Sequence, residues 1–299
     1  MNNKKEVCRI PQDTKECFYH LVHDIFINEN ISLYAYGPFV FSFDNKLFAK
    51  FEKTVKTIIQ MDEHNILIGS YDGTCMIFRH NKNTENMFAY DYIDTIKGPE
   101  TEIKGLSSNG REVAMATRGK TVWIFKFDFL KKQNQIELTQ ILEDHDQDVK
   151  GNLFLTHSRL CTWSYDETVK IYDRGVNEWE LIANINFGQI VWNVLAVGNV
   201  LCAFLHSGEI EIFDNKNFEK IKKAKISELP LTASCSYDNF IFVVSNMTVL
   251  CVFNVLTYKI EREIDLDKNK VYNLKVINDD LYVCFKDYVI KYLINDIIH

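Results

Sequence analysis

The chain has 299 residues, 46% hydrophobic, 25% charged and 13% aromatic, a composition that excludes an intrinsically disordered chain. A formal net charge of −7 argues against binding nucleic acid by neutralising phosphates. A chain of this length can bury a large core without disulfides or structural metals, and all-β chains of this size often form one domain.

The N-terminal MNNKKEVCRI has neither the apolar stretch nor the small-residue cleavage site of an export signal. Within it, Glu6–Ile10 reads as a strand with no hairpin partner nearby. His20 and His23 follow on a predicted strand; three residues apart, they face opposite sides and make no metal pair.

From there one unit recurs: an apolar strand, a short polar turn, and a second strand closing on a large apolar residue. The instances are ISLYAYGPFVFSF (Ile31–Phe43), ILIGSYDGTCMIF (Ile66–Phe78), EVAMATRGKTVWIF (Glu112–Phe125) and RLCTWSYDETVKIY (Arg159–Tyr172). VLCAFLHSGEIEIF (Val200–Phe213), FIFVVSNMTVLCVF (Phe240–Phe253) and the weaker LYVCFKDYVIKYL (Leu281–Leu293) complete the series. The closing residues Phe43, Phe78, Phe125, Tyr172, Phe213, Phe253 and Leu293 are spaced by 35, 47, 47, 41, 40 and 40 residues. Their mean of about 42 is that of a four-stranded propeller blade. Segments between the hairpins, such as Ile136–Leu142 and Trp179–Ile185, supply further strands.

The expectation is an all-β, seven-bladed WD-repeat β-propeller, a single domain over residues 1–299. The last unit ends near Asn295 without a fourth strand, so Glu6–Ile10 is expected to pair there, closing the ring and covering its edge. The repeats are degenerate: no Trp-Asp dipeptide occurs, Tyr or Phe replaces the closing Trp, and Asp144-His145 stands nearest the usual Gly-His.

Two uncharged runs, Phe187–Gly208 and Asn239–Tyr258, are long enough to raise the question of a membrane span. Gln189, Asn193, Gly198 and Asn199 interrupt the first and Ser245-Asn246-Met247-Thr248 the second, so each reads as two buried strands around a turn. The eight cysteines (Cys8, Cys17, Cys75, Cys161, Cys202, Cys235, Cys251, Cys284) form no CxxC and no Cys/His cluster at zinc spacing. Most sit in apolar runs, where a free thiol acts as a small hydrophobe, pointing to a reducing compartment and to no structural metal.

The turn aspartates Asp72, Asp166 and Asp287 resemble catalytic carboxylates, but an Asp there ordinarily bonds turn backbone. Ser70-Tyr71-Asp72-Gly73-Thr74 is one imperfect copy of the Asp box of sialidase propellers, and a glycosidase would also need a carboxylate pair at the ring mouth. No nucleophile elbow, P-loop or dinucleotide fingerprint occurs, and no cofactor is implied. The residue just before the turn Asp, or its equivalent, is expected on one rim of the ring: Tyr36, Tyr71, Arg118, Tyr165, His206, Asn246 and Lys286. Three tyrosines and two cations on one face make a candidate landing site for an acidic or aromatic partner segment. The alternative is that exposed turns carry polar and amphipathic residues in any case.

Two stretches go beyond a generic repeat. Lys97–Phe125 reads KGPETEIKGLSSNGREVAMATRGKTVWIF, and Leu142–Trp192 contains EDHDQDVK, SYDETVKIYD, NEWELIANI and GQIVW. In order and spacing these resemble blades three to five of the WD-repeat protein of the cytosolic iron–sulfur protein assembly machinery. That family shows E-x-E-V-K-G, S-R-D-K-S-V-W-I-W, H-x-Q-D-V-K and S-Y-D-D-T-V-x-I, then D-x-W-E-C and T-V-W. The likeness is clear over Ile66–Trp192. It implies a non-catalytic docking platform that joins a small α/β component and a helical-repeat adaptor in delivering clusters to apo iron–sulfur client proteins. The cysteine usage and the missing export signal lead to the expectation of a cytoplasmic, and also nuclear, protein, the net charge and the interrupted apolar runs to that of no direct nucleic-acid or membrane binding, and the chain is expected to be monomeric on its own. The family's exposed functional arginine falls on Arg118, while Gly119 replaces the motif Asp and Phe125 the motif Trp. The alternatives are a WD-repeat scaffold of ribosome, RNA-processing or chromatin assembly and, from another class, a propeller hydrolase with carboxylates clustered in the central funnel.

Overall fold

Each recurring unit folds as a hairpin because β-branched and aromatic residues flank a turn built from Asp, Gly or Asn. In the second, Asn65–Ser70 and Thr74–His80 pair antiparallel around Tyr71-Asp72-Gly73. Gly73 has φ +83°, and a Cβ there would lie 2.4 Å from the Pro99 carbonyl oxygen, so the turn needs glycine on both counts. Asp72 closes it, Oδ1 accepting from the Thr74 N–H at 2.9 Å and Oδ2 from the Glu52 N–H at 3.0 Å.

The computed structural model describes residues 4–10, 20–84, 87–128, 135–266 and 269–298. These form seven four-stranded antiparallel sheets, the blades of a β-propeller. Blades 1 to 6 span residues 22–50, 55–97, 103–142, 149–186, 191–225 and 234–265, each with its strands in chain order. The first strand of every blade is innermost, and neighbouring innermost strands touch around the whole ring. Residues 273–293 supply three strands of blade 7, and Lys5–Arg9 adds the fourth, antiparallel to Tyr288–Leu293 with Lys5 opposite Lys291 and Arg9 opposite Tyr288. The N-terminal segment thus closes the ring as expected; Cys8 and Ile10 are buried, and the Ile10 N–H donates to the Asp287 carbonyl at 3.0 Å. Blades 1 and 7 are further joined by Asn273 Nδ2 donating to the His23 carbonyl at 2.9 Å and by the Lys275–Asp24 ion pair at 3.0 Å.

The core lies between blades, where side chains such as Phe204, Phe242, Phe253 and Tyr172 are almost fully buried. Burial of each contributes on the order of 2–3 kcal/mol. Phe78, Phe125, Tyr172, Phe213 and Phe253 fall in third strands, whereas Phe43 follows its strand by one residue and Leu293 is partly exposed at the end of its own. The two uncharged runs resolve into strand pairs, Val191–Val197 with Val200–Leu205 and Phe240–Ser245 with Val249–Asn254. Among the described residues no helix is long and apolar enough to cross a membrane. A short helix, Ile294–Ile298, follows blade 7, pinned by Arg262 Nη1 donating to the carbonyls of Asp296 and Ile297, both at 3.0 Å.

Blade 4 holds a buried polar network behind its turn. His145 Nδ1 lies 2.7 Å from Asp166 Oδ2, and Nε2 lies 2.7 Å from Thr162 Oγ1. Asp166 also accepts the N–H groups of Asp146 and Thr168, each at 3.0 Å, and the Thr168 hydroxyl at 2.6 Å. Burial alone would raise the Asp166 pKa, but the bonds from His145 and Thr168 outweigh it and hold the carboxyl well below its ordinary range. Asp72 and Asp166 therefore serve their turns.

Candidate docking face and central channel

A local irregularity repeats around the ring. In blades 1–5 the pairing of the innermost strand with the second slips by one residue near its start. The extra residues are His23, Lys56, Lys104, Lys150 and Trp192. A bulge leaves one residue outside the ladder and redirects its side chain. All five line one cavity of about 360 Å³ at the central channel, joined by Thr232 of the segment leading into blade 6 and Tyr272 of that leading into blade 7. Each of the seven follows a fully buried aliphatic residue: Val22, Val55, Ile103, Val149, Val191, Leu231 and Val271. That aliphatic–channel pair is the sequence signal for the channel lining, and it lies one strand before the turns that carry the rim residues.

The rim residues of blades 2–5 stand beside these bulges. The N–H groups of Tyr71, Arg118, Tyr165 and His206 donate to the carbonyls of Thr54, Glu102, Asp148 and Ile190 at 2.9, 3.0, 3.1 and 3.0 Å. Each donor directly follows a second strand and each acceptor lies just before an innermost one, so rim and channel residues interleave. Lys104 Nζ sits 4.6 Å over the Tyr71 ring. Lys150 Nζ sits 4.6 Å from both the Tyr165 and Trp192 rings and donates to the Tyr165 hydroxyl at 3.1 Å. Trp192 stacks on His206 at 6.0 Å and donates from Nε1 to His206 Nδ1 at 3.1 Å. The Arg118 side chain is 59% exposed, 3.0 Å from Glu102 Oε1 and 3.7 Å from Asp148 Oδ2. Glu102 also holds Lys104 at 2.5 Å.

Tyr71, Arg118, Tyr165 and His206 thus belong to one band across blades 2–5. Tyr36 does not: it is only 2% exposed, with the His20 ring edge-on at 5.5 Å, so the expectation that it offers a rim contact is corrected. His20 precedes the Val22–Ile27 strand rather than sharing it with His23. Lys286 and Asn246 are exposed turn residues of blades 7 and 6, outside the band.

The channel is cationic although the chain is acidic. Burial, then the nearby Lys150, lowers Lys56 to about 8; burial, then Lys104, lowers Lys150 to about 8. Burial, reinforced by Lys56 and His20, brings His23 down to about 3 from an ordinary 6.5. Because the unfolded chain takes up that proton first, stability is complete above pH 6.5 and falls as pH drops toward 3. We expect His23 to cost about 1–2 kcal/mol on going from pH 7 to pH 5, and His23→Gln to flatten that part of a urea-monitored stability–pH curve. An unchanged slope in the variant would contradict the assignment.

Among the described residues no group of three His, Cys, Asp or Glu could hold a metal ion. The seven described cysteines are free, with thiols such as Cys75 and Cys202 pushed up by burial to about 12 and so kept protonated; Cys17 lies outside the described residues. The carboxylate of the channel lining, Asp24, already accepts the N–H groups of Ile25 and Ile58 at 2.8 Å and pairs with Lys275. The lining is therefore suited to binding through cations, aromatic faces and amide groups.

No family model matches the sequence, and a search of curated proteins likewise finds no match. Solved structures do match. Sqt1 of Saccharomyces cerevisiae superposes with a TM-score of 0.73 at 14% identity, over 92% of this chain and 83% of that one. The WD40 β-propeller domain of Doa1 gives 0.74 at 13% identity, over 97% of each chain. With seven blades in a closed ring and these two likenesses, the chain has the fold of the WD40 β-propellers.

Proposed function

We propose that this propeller is a non-catalytic docking platform, and that the band on blades 2–5 serves the cytosolic iron–sulfur targeting complex. One observation carries the reading. The segments on which the resemblance rests, spread from Glu102 to Trp192, bring Glu102, Arg118, Asp148, Lys150, Tyr165 and Trp192 into a single connected surface. Tyrosine, tryptophan and arginine, here Tyr165, Trp192 and Arg118, are the side-chain types enriched in binding hot spots. Arg118 stands at the edge of this surface, aligned by two carboxylates yet still open to a third, as a bidentate anchor requires. The partners would be the small α/β component and the helical-repeat adaptor, with apo iron–sulfur proteins as clients. For a hydrolase, the channel would need a pair of carboxylates free to act, and its described lining offers only the engaged Asp24.

The test is direct binding of the purified chain to each partner component. Arg118→Gln is expected to weaken binding at least about tenfold, while stability shifts by under about 1 kcal/mol because the arginine end of both ion pairs is exposed and Glu102 keeps Lys104. Arg118→Glu is the less clean variant, since it would set a third carboxylate beside Glu102 and Asp148. Wild-type binding that survives Arg118→Gln unchanged would remove this band from the interface.

A further inference from the structure

We propose that the mouth of the central channel is a binding site for a compact phosphorylated small molecule, held by Lys56, Lys104 and Lys150. The three lysines occupy the same bulge position in three successive blades and line one cavity of about 360 Å³. Their charge is poorly compensated. Among the described residues neither Lys56 nor Lys150 has a carboxylate within ion-pair distance, and the Glu102 that neutralises Lys104 is shared with Arg118. Half-burying ammonium groups near one another is costly: Asp24 and Asp148 offset only part of that cost, and Lys56 and Lys150 are lowered to about 8. An anion bound among them would relieve that cost.

A second observation concerns the wall behind them: Trp163, only 7% exposed, and Thr232 line this cavity, and the indole N–H of one and the hydroxyl of the other are buried in that wall without a hydrogen bond. Gly151 makes room for that indole: a Cβ there would lie 2.3 Å from Trp163 Cζ2. The accessible donors of the cavity are therefore the three ammonium groups, while Asp24, the acceptor carboxylate of its lining, is already taken. A ligand that fits must bring negative charge and several acceptors. A carboxylate brings one charge on two oxygens, whereas a phosphomonoester brings nearly two on three, matching three ammonium donors. The inference does not depend on which protein docks on the rim.

The experiment is calorimetric titration at pH 7 and low salt with pyrophosphate and, separately, inositol hexakisphosphate. The expected result is saturable one-site binding by at least one of them, weakened about tenfold by Lys56→Gln and further by Lys56→Gln with Lys150→Gln. Lys222→Gln, on the exposed outer strand of blade 5, is expected to bind as wild type. Both channel variants remove a half-buried ammonium that has like-charged neighbours, and are expected to keep a cooperative melt, which keeps a loss of binding distinct from a loss of fold. Three results would each overturn the proposal: no saturable binding up to about 1 mM, far weaker than several charge-assisted hydrogen bonds should give; unchanged binding in the double lysine variant; or equal affinity for an Asp/Glu-rich peptide displaced by the same substitutions, which would make the site one for carboxylates.

Discussion

Deleting residues 1–10 is expected to destabilise the protein by at least about 4 kcal/mol, a large share of the roughly 5–15 kcal/mol typical of a folded domain. The segment supplies the fourth strand of blade 7, so its loss removes the ladder between Lys5–Arg9 and Tyr288–Leu293. Cys8 and Ile10, buried at 6% and 1% exposure, leave the cluster they share with Val22, Tyr36 and Val289. Burial of an aliphatic side chain contributes about 1.5–3 kcal/mol, and each net ladder hydrogen bond about 1 kcal/mol. The deletion also bares the Tyr288–Leu293 edge, inviting association between chains. Urea denaturation checks this: the midpoint is expected to fall sharply, and a synthetic peptide of residues 1–10 is expected to restore it in a concentration-dependent way. An unchanged midpoint would mean that the ring does not depend on this strand.

Asp166→Ala is expected to cost about 3 kcal/mol, because one carboxylate satisfies His145, Thr168 and the Asp146 N–H at once. With the carboxylate gone, the imidazole keeps Thr162 but loses the partner that orients it, and two backbone donors are left without an acceptor. Asp72 occupies the same turn position in blade 2, where its carboxylate binds Thr74 and the Glu52 N–H and no histidine. Asp72→Ala is accordingly expected to cost nearer 1 kcal/mol. The comparison is between two thermal melts, and equal losses would mean that the His145 network adds nothing to blade 4.

The blades were legible in the sequence because their determinants are local. Turn residues such as Asp72-Gly73 and Glu167, the latter at φ +69°, mark where each hairpin reverses, and β-branched runs mark the strands. Closure was legible by elimination, since Glu6–Ile10 had no local partner and the last unit lacked a strand. Tyr36 was misjudged because the ring that covers it, His20, lies sixteen positions upstream, and no local pattern reports that contact. The bulges were missed for a related reason. In a segment such as Val55–Gln60 (VKTIIQ), Lys56 reads as an ordinary outward residue in an alternating strand, and only pairing with Ser70 and Gly69 reveals the extra residue that turns it into the channel. The helix Ile294–Ile298 has five residues and is held by Arg262, thirty-odd positions away, rather than by a local cap.

The docking surface is where the functional account is most exposed to test. The most direct measurement is affinity purification of the tagged wild type and Arg118→Gln from native cytosol, with mass spectrometry of what accompanies each. The account predicts that the small α/β component and the helical-repeat adaptor accompany the wild type and are depleted with the variant. Recovery of ribosomal, RNA-processing or chromatin factors instead, equally with both proteins, would contradict it.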